Sequence, residues 1–159
     1  MPNQSTYPNL SNYKAKSGTF VPVYTLEIQT IAEDTDRILD AVMQVYPLRY
    51  GRYQRNASIS AVGMETAQPE PGSTTTTHSQ GFVAGQSETY PMVELKISIE
   101  RDTAILQRVM DAILAVHHYE EPVIFLREDW ASRAAYNPHN NNPHRWWNRK
   151  GGLQNKLDG

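Results

Sequence analysis

The most regular stretch of the chain runs from Pro91 to Glu100, where Val93, Leu95, Ile97 and Ile99 alternate without a break against Glu94, Lys96, Ser98 and Glu100. A period of two places the four aliphatic side chains on one face of a strand and the polar ones on the other. The pattern therefore predicts a sheet with one buried face and one wet face. Between Val23 and Ile31, Tyr24, Leu26 and Ile28 alternate in the same way with Thr25, Glu27 and Gln29. After each strand the period changes to one near 3.6. Asp34 or Thr35 offers a cap ahead of the stripe Ile38, Leu39, Val42, Met43 and Tyr46, which Pro47 stops. Asp102 and Thr103 stand likewise ahead of Ile105, Leu106, Val109, Met110, Ile113 and Leu114, a helix expected to end near Val116.

Ile38-Leu39-x-x-Val42-Met43 and Ile105-Leu106-x-x-Val109-Met110 are one signature met twice, each behind an alternating strand and an acid-threonine cap. Ala57, Ile59 and Ala61, alternating with Ser58 and Ser60 between Arg49 and Gly63, supply a strand after the first helix, and Val123 to Leu126 supplies one after the second. The chain thus reads β-α-β twice. With right-handed crossovers this gives a ferredoxin-like α+β sandwich, a four-stranded antiparallel sheet with both helices on one face. Around that domain, expected over residues 21–130, residues 1–20 read as a poorly ordered polar arm and 131–159 as an irregular C-terminal strap. Residues 64–89, with Gln68-Pro69-Glu70-Pro71-Gly72 and four consecutive threonines, form a long excursion or a projecting β-arm.

Length and composition narrow the function. At 159 residues and 39% hydrophobic content there is one core rather than two. A formal charge of -2 supplies no global positive field, which argues against nucleic acid as a partner unless binding is local. The absence of cysteine excludes disulfides, thiolate metal ligands and cysteine nucleophiles. With no signal-like segment among the first twenty residues, and no apolar run near the roughly 20 residues a membrane helix needs, a cytoplasmic protein without a membrane partner is expected.

Two segments concentrate chemistry. His117, His118, Tyr119, Glu120 and Glu121 follow the second helix directly and form the candidate ligand site, with His117, Glu120 and Glu121 as the candidate ligands of a divalent cation. The same residues also suit structural work, since a histidine in the last turn complements the carbonyl end of the helix and carboxylates accept backbone hydrogen bonds in a turn. Acid-base catalysis by His117 or His118 with Glu120 or Glu121 is a further alternative, although no catalytic residue is assigned. In the tail, Arg145, Trp146 and Trp147 are of the types most enriched at protein interfaces and make that segment a candidate contact surface, with base stacking as the sharper alternative. An RNA-reading sheet would need aromatics on its wet face, and here that face carries Glu94, Lys96, Ser98 and Glu100.

The order strand, helix, Arg49-Tyr50-Gly51-Arg52-Tyr53-x-x-Asn56-Ala57-Ser58-Ile59-Ser60, Pro/Gly-rich excursion, strand, helix and His117-His118-Tyr119-Glu120-Glu121-Pro122 resembles the PII-like, CutA-like domain inserted in some proteins of the NGG-interacting-factor family. Gly51, Tyr53 and Ser58 match the motif of its second strand, and His117, Tyr119, Glu120 and Glu121 match the motif after its second helix. Ala57 and His118 stand where that family has cysteine and proline. The resemblance covers about residues 23–127 and implies a stand-alone relative of CutA and PII proteins. Such a relative would be a non-enzymatic homo-oligomer, a trimer in the first instance, binding a small ligand or divalent cation in a cleft between subunits. The dinuclear metal centre of the larger family lies outside the matching region and is not implied.

Overall fold

In a computed structural model of the chain, which describes residues 8–78, 81–135, 137 and 139–149, the two alternating stretches pair at the centre of one sheet. The strands are β1 (Lys14–Ala15), β2 (Gly18–Thr30), β3 (Ser58–Ile59), β4 (Gly63–Ala67), β5 (Glu88–Glu100) and β6 (Ile124–Ala134). The helices are α1 (Thr35–Met43), α2 (Thr74–His78) and α3 (Thr103–Val116). β2 and β5 run antiparallel, with Leu26 opposite Ile97 and Ile28 opposite Leu95. β6 takes the other edge of β2, from Gly18 opposite Ala134 to Ile28 opposite Ile124. β3 and β4 line the far edge of β5 one after the other. The order β6-β2-β5-β3/β4, antiparallel throughout, is that of the duplicated β-α-β plan, so the ferredoxin-like expectation holds.

The pattern of apolar positions explains the layers. Leu26, Ile28, Leu95, Ile97 and Ile99 share one face of the sheet, and Ile38, Leu39 and Val42 of α1 with Val109 and Ile113 of α3 close over it. Each such side chain contributes about 1.5–3 kcal/mol on leaving water, which commits both helices to that face. α3 begins as its sequence predicts, the Asp102 carboxylate accepting from the amides of Ala104 and Ile105 at 2.8 and 3.0 Å.

Four local expectations change. Asp34 caps nothing; a 3-10 turn over Ala32–Asp34 precedes α1, and its carboxylate is turned to other partners. The second strand is broken between β3 and β4, where the Ser60 hydroxyl takes over a ladder position by accepting from the amide of Glu94 at 2.8 Å. Part of the expected N-terminal arm is strand, since β2 starts at Gly18, five residues before the alternation becomes visible, and β1 folds back on it. The C-terminal strap likewise starts later than expected, because β6 continues to Ala134. At that junction a Cβ on Gly18 would lie 2.6 Å from the carbonyl oxygen of Arg133, so only glycine allows the two strand ends to close.

The threonine run is helical rather than extended. Ser73 accepts from the amides of Thr76 and Thr77 at 3.1 Å each, and the Thr77 hydroxyl bonds back to the same carbonyl at 3.0 Å. Local hydrogen bonding thereby outweighs the strand propensity of threonine.

Candidate functional site

The segment after α3 is a junction of four elements. Its first residue, His117, points Nε2 at the carbonyl oxygen of Gln29 in β2, 2.9 Å away, while Nδ1 accepts from the amide of Tyr119 at 3.1 Å. That pattern requires the proton on Nε2 and a neutral ring. Burial pushes the pKa of His117 below its ordinary value, against the raising effect of the Gln29 contact.

The His118 ring stacks beside that of His117, their centroids 5.9 Å apart. Its Nδ1 stands 2.5 Å from Oδ2 of Asp34, which Arg37 also approaches at 2.6 Å. Neither contact closes a well-aligned hydrogen bond to Oδ2, and with Arg37 the pairing of this buried carboxylate is one of charge. Arg37 completes the link by donating from Nε to the carbonyl oxygen of Val116 at 3.0 Å. The start of α1 is thus held to the end of α3, and this is where the Asp34 carboxylate is engaged.

Tyr119 turns its hydroxyl inward beneath β4. The hydroxyl is buried with no hydrogen bond closed among the described residues, and burial first, the Glu65 carboxylate second, raise its pKa. Glu120 turns outward. Its Oε2 accepts from the amide and the hydroxyl of Thr74 at 2.8 and 2.7 Å, and these bonds lower the carboxyl pKa and fasten the first turn of α2. Glu121 is exposed. His117 and Glu120, expected with Glu121 to share a cation, therefore hold different partners, and no group of three His, Asp or Glu side chains that could hold a metal ion is found among the described residues.

The wet face of the sheet and its two rims carry what sequence patterns did not single out. Across β2, β5 and β6, Thr25, Ser98, Lys96 and Arg127 line a cleft of about 480 Å³ together with Tyr50 and Trp130. Arg127 donates to Glu27 at 2.7 Å and lowers its pKa. Tyr50 is held over the cleft by a 3.1 Å bond to Ser132 and by the Arg133 guanidinium 4.2 Å from its ring. β6 pairs only with β2, and among the described residues its outer edge has no strand beside it. Phe125 and Leu126 remain 55% and 49% exposed on this rim. The opposite rim, formed by β3 and β4, leaves Ile59, Val62 and Met64 in water.

No family model and no curated protein sequence matches the chain. Solved structures do. A protein related to NIF3 from Bacillus cereus superposes with a TM-score of 0.54 at 16% identity over 73% of this chain, which spans 27% of that protein's length. The fold is PII-like and CutA-like. Divalent ion tolerance protein CutA1 from Ehrlichia chaffeensis (TM-score 0.49, 16% identity, 67% of this chain and 80% of that one) and the PII-like protein CutA from Nostoc sp. (TM-score 0.38, 14% identity, 67% and 80%) are further structures similar to it.

Beyond this PII-like core, the strap packs beside the hairpin of the Tyr50-Gly51-Arg52-Tyr53 loop. Tyr50 and Tyr53 exchange backbone bonds at 2.7 and 3.1 Å around Gly51, whose φ of 60° suits the turn. Arg55 anchors the loop to α1 by reaching Asp36 and Asp40 at 2.7 and 2.5 Å. Arg145, Trp146 and Trp147, the expected contact residues, lie together opposite that hairpin, the Arg145 guanidinium 5.7 Å from the Trp147 ring. No helix among the described residues is long and apolar enough to cross a membrane.

Proposed function

We propose that this chain is a non-enzymatic binding domain that works as a closed homo-oligomer, with the trimer of the CutA and PII type as the specific form. The observation that carries the reading is the pair of unlike apolar rims at opposite ends of one sheet, Phe125 and Leu126 on β6 against Ile59, Val62 and Met64 on β3 and β4. Unpaired strand edges with exposed apolar side chains favour strand addition, and a contact between two different rims is heterologous, so it builds a ring when the rotation closes. In such a ring the wet face turns toward neighbouring copies. The cleft around Lys96, Ser98 and Thr25 then becomes an intersubunit pocket for a small polar ligand.

The junction after α3 supports the non-enzymatic part. Both nitrogens of His117, the Asp34-facing nitrogen of His118 and the carboxylate of Glu120 hold segments of the chain together, whereas an acid-base pair needs groups turned to a substrate. A cytoplasmic location belongs to the same proposal. Light scattering on the eluting protein tests its main claim: a particle of three times 18.1 kDa is expected, and a monomer at micromolar concentration would remove its basis.

A further inference from the structure

On the wet face of the sheet the charged groups of the cleft are engaged with one another and the neutral ones are not. Arg127 donates to Glu27 at 2.7 Å, its Nε stands 3.8 Å from Asp129, and Lys96 lies directly opposite Glu27 in the register of β5 and β2. Cation and carboxylate alternate here and offset each other. Ser98 and Thr25 are likewise opposite one another on those two strands, and Ser58 and Asn56 line the cleft from the β3 side. Among the described residues the side chains of Thr25, Asn56, Ser58 and Ser98 make no hydrogen bond. Thr25 is buried all the same, and a buried hydroxyl without a partner costs free energy that an occupant of the cleft can relieve.

The loop that borders the cleft is held in place before any ligand arrives. Leu48 and Arg55 take φ of 48° and 54° at its two stems, where the amides of Arg55 and Asn56 donate to the carbonyl oxygens of Pro47 and Leu48 at 3.0 Å each. Left-handed backbone is unfavourable for residues other than glycine and persists where the surroundings over-determine it. Leu48 is fully buried in the core, and Arg55 is paired with Asp36 and Asp40 of α1. So fixed, the loop brings Tyr50 to Ser132 of β6 and Asn56 to the cleft. A wall ordered in advance loses less freedom on binding.

We propose that the occupant of this cleft is an uncharged polyhydroxy compound of monosaccharide size, an assignment that rests on the reading of the cleft as the ligand pocket between subunits. Ligand hydroxyls donate and accept at once, which matches the hydroxyls of Thr25, Ser58 and Ser98 and the amide of Asn56. An anion would compete with Glu27 for Arg127 and approach Asp129, and a cation would meet Lys96 and Arg127. A zwitterion would have to part the Arg127–Glu27 pair. An apolar ligand would leave the four neutral side chains unbonded. The cleft of about 480 Å³ has room for a sugar-sized ring with bridging waters.

Saturation-transfer NMR titrations of the full chain test this, with glucose, galactose and myo-inositol as neutral probes and with glucose 6-phosphate and glucosamine as sugar rings of either charge. Saturable binding of at least one neutral probe is expected, tighter than that of both charged ones and unaltered by added salt. Ser98→Ala and Asn56→Ala should each weaken that probe about two- to tenfold, the worth of one hydrogen bond between uncharged partners. Asn56 is exposed, so its variant keeps the test open should Ser98→Ala fail to fold, and a melting temperature within error of the parent checks both. Silence from all three neutral probes, preference for a charged one, affinity that falls with salt, or indifference to both substitutions would each overturn the proposal. Sedimentation velocity on the same sample separates this result from the assembly. Binding by a monomer keeps the ligand class and removes the assembly, whereas a trimer that binds no neutral probe removes the ligand class and keeps the assembly.

Discussion

Nε2 of His117 lies 2.9 Å from the carbonyl oxygen of Gln29, and this bond ties the end of α3 to the end of the central strand β2. It exists with the ring neutral, because Nδ1 accepts from Tyr119. Burial lowers the pKa of His117 below the 6.5 of an unperturbed histidine. The unfolded chain then binds the proton more readily, so the contribution of His117 is complete above about pH 6.5 and is lost as pH falls through the folded value. Urea unfolding between pH 5 and 8 should show stability declining on the acid side of 6.5, and His117→Gln, which keeps a donor near Gln29, should flatten that decline. An unchanged slope in the variant would contradict the assignment.

Asp34 receives Arg37 and His118 on the same oxygen, at 2.6 and 2.5 Å, while buried itself. Both partners are close to half exposed, which screens the pairing and discounts its energy. Asp34→Asn should cost about 1–2 kcal/mol, read as a lower urea midpoint at an unchanged slope.

Ile28 and Ile59 make a paired test of the layers. Ile28 is fully buried under both helices, and truncation to alanine should cost about 2–5 kcal/mol. Ile59 is exposed on the rim of β3, so Ile59→Ala in dilute protein should stay within about 0.5 kcal/mol of the parent.

Charge on either rim should separate the copies. Phe125→Glu on β6 and Ile59→Glu on β3 each place a carboxylate on an exposed apolar position. Sedimentation velocity should then report monomers with an unaltered far-ultraviolet spectrum. Oligomers that survive both changes would show that the rims are not the contact.

Glu120 is spent on Thr74, to which it bonds through both amide and hydroxyl. Glu120→Ala should speed amide exchange across Thr74–His78 while the melting temperature holds, because the bond fastens a peripheral helix and not the core. The lowered carboxyl pKa gives the pH sense: the fastening is complete above 4.5 and loosens as pH falls below it.

Periodicity determined most of the core of this protein, Leu48 beyond the first stripe excepted. The alternations at Leu26–Ile28 and Val93–Ile99 and the two stripes led by Ile38-Leu39 and Ile105-Leu106 are local patterns, and burial of one face follows from them directly. The second β-strand was only half legible, because Ser60 substitutes a side-chain oxygen for the ladder and no period marks such a break. The β-branched and aromatic run marks only four residues near the start of β6, which is eleven long, since an edge strand with one free rim need not alternate. The junction residues His117 to Glu121 were recognisable as a chemical cluster, yet their partners Gln29, Asp34 and Thr74 are far away in sequence. Only the folded chain could decide that Asp34 meets His118 as well as Arg37 of its own helix and that Glu120 fastens the threonine turn. A side chain's role depends on what tertiary packing brings within 3 Å, and a linear pattern carries no such distance.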